Sequence, residues 1–193
     1  MKALQEFRNV FNAEHGGEGL KLTVTDFIVA AVAKALREHE LLNAFLDGDE
    51  LVFHEEVNVA VAVALPAGGL LVPVVHNADR LGLKELCKET KRLVTAAKAS
   101  RFNFDDMVGS TFTVTNMGMG DIDAFSPIIQ YPESAILGLG RTVDKPVVVD
   151  GAIVIRPRAV LSITHDHRII DGMPAAEFLK TVVHYIENPN LID

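Results

Sequence analysis

Residues 162–172 read SITHDHRIIDG, an alternating strand that runs into two histidines, two aspartates and an arginine before stopping at a glycine. Charge this dense is costly to bury and unnecessary for a turn. Three chemistries compete for it. His165 and His167 stand two apart on a strand and so share a face, which with Asp171 makes a legal start to a metal site, although the sequence offers no obvious third or fourth ligand. The same residues fit a strand end whose charges are simply solvated. In the third reading one histidine projects into a cleft as a general base, with Asp171 and Gly172 fixing the turn behind it. Histidine suits that task because its unperturbed pKa lies near neutrality. Spacing alone leaves all three open.

The elements that must hold this stretch follow from periodicity. Leu4, Phe7, Val10 and Phe11 lie on one face of a first helix that ends at Gly16-Gly17. A second helix follows, with Thr25 as its expected N-cap and a broad stripe of Phe27, Ile28, Ala31, Val32, Ala35 and Leu36. A third is expected over 83–100, and a last one has Pro174 in its first turn. Between them, a hairpin is expected around Asp47-Gly48, then strands VNVAVAVAL, LLVPVVH, STFTVTN and SAILGLGR, a hairpin turning at Asp150-Gly151, and RAVLSITH. In VNVAVAVAL the odd positions are large and apolar and the even ones small or polar, so one face packs deeply and the other admits close neighbours. Helices near both ends with strands between do not alternate as a doubly wound fold does. An α/β fold with a mixed, largely antiparallel sheet covered by helices on one side is the prediction.

Composition narrows the function classes. With 193 residues, 49% of them hydrophobic, the chain suits a single domain with a real core. A formal net charge of −8 argues against a nucleic-acid footprint. The lone cysteine, Cys87, excludes an internal disulfide and a cysteine-based zinc site; it falls on an apolar helical stripe and reads as core filler. No window has the apolar length of a transmembrane helix and no signal peptide opens the sequence, so a soluble protein of a reducing compartment is expected. The GMG at 118–120 lacks the glycine pattern and the strand-helix context of a dinucleotide loop.

DHRIIDG also resembles the His-x-x-x-Asp-Gly signature shared by the catalytic domain of dihydrolipoamide acyltransferases and by chloramphenicol acetyltransferase. Further stretches match in order: LLNAFLDGDELVFHEEVNVAVAV, GLLVPVVHNAD, GSTFTVTNMG and SPIIQYPESAILGLG. The resemblance covers nearly the whole chain, 1–193, and favours the dihydrolipoamide branch. It implies a chloramphenicol acetyltransferase-like two-layer sandwich, a homotrimer with the active site between subunits, and a possible cubic or dodecahedral core. It implies transfer of an acyl group between lipoamide and coenzyme A, with His167 as general base on the thiol and Asp171 supporting the imidazole. It also implies that Thr115 stabilises the oxyanion, at a position where many relatives carry serine. Arg168 is expected to be structural, and His165 a neighbour without a chemical role. No metal and no membrane are implied.

The family's basic opening segment and first strand are not matched, so those are expected to be missing from this domain. VDKP at 143–146 fits the catalytic domain's own hairpin rather than a lipoylated one, so the lipoyl group is expected on another domain. Expected partners are lipoyl domains and the dehydrogenase and dihydrolipoamide dehydrogenase components. The bacterial cytoplasm is preferred over the mitochondrial matrix. A chloramphenicol-type O-acetyltransferase and an inactive trimeric scaffold are the alternatives. In the tail, Leu191 and Ile192 follow a helix end at Asn188-Pro189, and either fold back or dock into a neighbouring trimer.

Overall fold

The computed structural model describes residues 1–192. Its order is α1 (Lys2–His15), α2 (Val24–Glu38), β1 (Ala44–Asp47), β2 (Glu50–Phe53), β3 (Val59–Val61), β4 (Val63–Ala64), β5 (Leu70–Leu71) and β6 (Val74–Val75). There follow α3 (Leu83–Lys98), β7 (Phe112–Asn116), β8 (Ala135–Leu139), β9 (Val143–Val149), β10 (Ala152–Arg158), β11 (Leu161–His165) and α4 (Gly172–Glu187). Among these residues no helix is long and apolar enough to cross a membrane.

Five strands form the central sheet in the order β11-β8-β7-β3-β6. Its outer pairings are antiparallel and the two inner ones, β8 with β7 and β7 with β3, are parallel. Three antiparallel two-stranded ribbons, β1-β2, β4-β5 and β9-β10, stand beside it. The expected mixed sheet is therefore present, with the parallel pairs confined to its centre.

One face of the sheet is apolar and carries the helices. Phe112 meets Phe178 of α4 with ring centroids 5.4 Å apart, and Val59, Val114 and Leu137 on the same side are buried. Helix α2 is buried almost all round, from Asp26 to Leu36. At about 1.5–3 kcal/mol for each large side chain removed from water, its Phe27, Ile28 and Leu36 are major contributors to the core. Thr23, rather than Thr25, caps α2: its side chain accepts from the Asp26 backbone N–H at 3.1 Å while Asp26 accepts from the Thr23 N–H at 2.7 Å. Thr25 lies two residues further on, in the first turn, and instead accepts a hydrogen bond from Asn116 of β7. Asp26 also accepts from Thr90 of α3 at 2.6 Å, which ties two helices together; burial pushes its carboxyl above the ordinary range.

The opposite face is lined by hydroxyls and small residues and is covered by the segment 121–133. Thr164 donates to the Pro127 carbonyl at 2.6 Å, and an added Cβ on Gly138 would stand 2.9 Å from the Phe125 ring. The β9-β10 hairpin turns on Asp150-Gly151, both with positive φ, as a tight two-residue turn requires. One face of it, Pro146, Val148, Ile153 and Ile155, is exposed. At the tail, Ile192 folds back into the core, while Leu191 stays half exposed and its carbonyl accepts from Lys34 at 2.8 Å.

Candidate active site

Strand β11 ends at His165, and the next residue organises the turn. The Asp166 backbone N–H donates to Ser134 at 2.8 Å, and its carbonyl accepts from Ile169 and Ile170. Its carboxylate takes the Arg168 guanidinium at 2.5 Å and the Arg168 backbone N–H at 3.0 Å, and this arginine holds it below the usual carboxylate range. Fully buried Ile170 anchors the loop from beneath. Arg168 is thus committed to the turn. With Asp166 and Ile170 holding the loop, His167 projects outward with 72% of its side chain accessible.

Asp171 is the N-cap residue of α4 but its side chain caps nothing; its Oδ1 lies 3.7 Å from His167 Nδ1, an ion-pair distance longer than a hydrogen bond. The helix starts at Gly172, two residues before Pro174. His165 lies beneath, its ring centroid 5.5 Å from that of His167. Among the described residues its Nε2 is buried without a partner, and burial, then the neighbouring His167, lowers its pKa. Among the described residues no group of three His, Cys, Asp or Glu side chains is placed to hold a metal ion.

Thr115 lies on β7 with Thr111 and Thr113 on the same face, and the three differ in what they bond. The Thr111 hydroxyl accepts from the Asn58 N–H at 3.1 Å, and the Thr113 hydroxyl donates to Glu133 at 2.7 Å. Thr115 is only half buried, and its hydroxyl takes no hydrogen bond among the described residues. Small residues flank it: Gly138 is its register partner on β8, and Ala62 follows Val61, the partner of Val114 on β3. Just beyond it, Asn116 bonds both the Gly118 N–H at 2.8 Å and Thr25, fixing the 117–120 loop.

Glu133 was not legible in the sequence. It is buried at 4% exposure and accepts from Ser110 at 2.6 Å and from Thr113, pinning the start of β8 to β7 on the Thr115 face. Burial pushes its carboxyl up. The one sequence signal is an acidic residue directly ahead of the apolar run SAILGLG.

The structure does not bring His167 and Thr115 together within one chain. His165 opposes Ala135 and Thr115 opposes Gly138, on strands that flank β8 from either side. Strand rise and strand spacing then separate the Cα atoms of His165 and Thr115 by about 14 Å, and His167 lies further out still. Two surface cavities, about 570 Å³ beside Leu20, Lys91 and Arg101 and about 650 Å³ beside His54, Ser110 and Gln130, contain neither residue.

An exposed histidine beyond one sheet edge and, two strands in, a hydroxyl without a partner among the described residues are the candidate groups on a mixed sheet with a helical layer. Chloramphenicol acetyltransferase shares that fold, with a TM-score of 0.57 at 16% identity over 91% of this chain and 82% of that one. Much nearer are the cubic core of a pyruvate dehydrogenase multienzyme complex and the Azotobacter vinelandii dihydrolipoamide acetyltransferase. Each has a TM-score of 0.90 at 35% identity, over 98% of this chain and 78% of the other. The Azotobacter structure addresses the catalytic roles of a serine, a histidine 52 residues later and an asparagine 4 residues beyond that.

Among curated relatives, the acetyltransferase component of the acetoin cleaving system of Bacillus subtilis is 40% identical over 89% of this chain and 43% of its own length. The succinyltransferase component of the 2-oxoglutarate dehydrogenase complex of Cupriavidus necator is 38% identical over 98% and 45%. The chain spans less than half the length of these two relatives. Residues 1–192 match the family 2-oxoacid dehydrogenases acyltransferase (catalytic domain), and the chain belongs to that family.

Proposed function

We propose that residues 1–193 act as a catalytic domain that moves an acyl group between a lipoyl thiol and the thiol of coenzyme A, at a site completed between two copies of the chain. The observation that carries this reading is the pair of half-sites: an exposed His167 and a free Thr115 hydroxyl, too far apart to act on one carbonyl in the same chain. Thr115, His167 and Asp171 also stand at the spacings of the serine, histidine and asparagine studied in the Azotobacter enzyme. Threonine keeps the hydroxyl, and aspartate keeps an acceptor beside the imidazole.

With Nδ1 turned towards Asp171, His167 offers Nε2 to the coenzyme A thiol and takes its proton. The thiolate adds to the carbonyl of the acyl-lipoyl thioester, and the Thr115 hydroxyl donates to the oxyanion that forms. Collapse breaks the bond to the lipoyl sulfur, which leaves with the proton held by His167. The lipoyl group arrives on another domain, and the dehydrogenase and dihydrolipoamide dehydrogenase components are the partners of the cycle. A bacterial cytoplasmic setting accompanies this reading.

A homotrimer fits the exposed apolar ladder of the β9-β10 hairpin, whose Val148, Ile153 and Ile155 are each at least 69% accessible. Complementation tests the shared site. His167→Ala and Thr115→Ala chains, each inactive alone, are expected to recover activity when mixed into one oligomer, because some interfaces then pair an intact histidine with an intact threonine. No recovery in verified mixed oligomers overturns the reading.

The larger particle is proposed to use the tail. Ile192 already belongs to its own core, so Leu191 is the side chain left for a neighbouring trimer. Leu191→Asp is expected to leave active trimers and abolish the large assembly by light scattering. A full-sized particle from that variant removes the tail as connector.

A further inference from the structure

Relatives of similar identity carry acetyl and succinyl groups in their names, so the acyl group has to be read from the site itself. The acyl carbon lies one bond from the oxyanion, and the far carboxylate of a succinyl group lies only an ethylene unit beyond that carbon. The groups around the Thr115 hydroxyl, together with those of the His167 half-site that faces it, therefore surround the acyl chain.

The immediate flanks are small and the space beside them is shallow. On the Thr115 face its flanks are Ala62 and Gly138, and the Phe125 ring sits so close over Gly138 that an added Cβ would stand 2.9 Å from it. Two residues on, just past the end of β8, a Cβ on Gly140 would collide with the Asp123 backbone oxygen at 1.9 Å. Segment 122–125 thus lies directly over Gly138 and Gly140. Met117, 45% exposed, follows at the open end.

The cation beside this loop is already used. Arg141, whose backbone abuts the 117–120 loop at Gly118, gives its Nε to Asp123 at 2.6 Å and faces Asp121 at 3.4 Å. The field of Lys145 also falls on Asp123. Asp121 keeps 90% of its side chain exposed, so a second carboxylate entering here meets a like charge. On the His167 half-site, Arg168 is locked onto Asp166. Both halves of the site therefore present an arginine, and neither arginine is free.

We infer that the acyl group is short and uncharged, of acetyl type, with Asp121 and Asp123 acting as specificity residues that withhold Arg141 from an acidic acyl chain. The inference rests on the acyl-transfer reading above. A carboxylate brought to this surface loses water without gaining a counter-ion, which disfavours it at every stage.

The test runs the reaction from acyl-CoA to free dihydrolipoamide. The bond from carbonyl carbon to the coenzyme A sulfur breaks, a new one forms to the dihydrolipoamide sulfur, and the thiol proton ends on coenzyme A. With the full chain, acetyl-CoA is expected to exceed succinyl-CoA in kcat/KM by at least about 10²-fold. Faster use of succinyl-CoA overturns the specificity while leaving the acyl-transfer reading intact, whereas no turnover with either thioester overturns both. The double variant Asp121→Asn, Asp123→Asn keeps shape and hydrogen bonding but unmasks the Arg141 charge. It is expected to raise succinyl relative to acetyl use by about tenfold or more, and an unchanged ratio removes the two aspartates from specificity.

Discussion

His167→Ala is expected to lower turnover by about 10²–10⁴-fold, the usual yield of a positioned general base, while His165→Ala changes it far less. The two rings are only 5.5 Å apart, but their environments separate their roles. His167 stands in solvent reach with Asp171 on its Nδ1 side, so its other nitrogen can meet a thiol. Among the described residues His165 has its Nε2 enclosed without a partner, and burial favours its neutral form, so it supports the turn and reaches no substrate. Removing the His165 ring empties a partly buried space, so its effect belongs in thermal stability more than in kcat. Steady-state kinetics on folded, correctly assembled protein separates the two. Equal losses in both variants, reversed by added zinc, overturn the general-base assignment in favour of a metal site.

The sequence made residue types legible where local rules act alone. The α2 stripe from Phe27 to Leu36 is as buried as its period demands, and Asp150-Gly151 turns the hairpin as its residues require. Boundaries slipped where a tertiary contact decides. Thr25 looks like a cap by position, but Asn116 takes its hydroxyl and Thr23 with Asp26 makes the cap. The first hairpin, expected around Asp47-Gly48, is present and turns on Gly48-Asp49, with Asp47 paired to Glu50. VNVAVAVAL reads as one strand but divides at Ala62, whose N–H still bonds Val114 of β7 before Val63 and Ala64 pair with β5 instead.

Arrangement was least visible. Nothing in the residue types says that β7 and β11 flank β8 from opposite sides, which is what parts His167 from Thr115. Glu133 escaped for a related reason. An acidic residue at a strand entrance reads as solvated until Ser110 and Thr113 are seen to close over it. Its network also explains why Thr115 stands apart from the two threonines beside it.

That difference sets the last expectation, which is that Thr115→Ala costs about 10²–10³ in turnover, or roughly 2.7–4 kcal/mol of transition-state stabilisation. Thr115→Ser is expected to stay near wild type, since it keeps the donor and loses only the methyl that restricts the rotamer. Affinity for coenzyme A is expected to change little, because the hydroxyl is called on when the carbonyl becomes an oxyanion. Thr115→Val is the sharpest variant. It preserves volume, and at this position it orphans nothing, since the Thr115 hydroxyl takes no partner among the described residues. The same change at Thr113 would strip the buried Glu133 of a hydrogen bond and act through stability. Thr115→Val with native melting and turnover as low as Thr115→Ala assigns the hydroxyl to the oxyanion. Thr115→Val with most of the activity retained shows that another donor does that work.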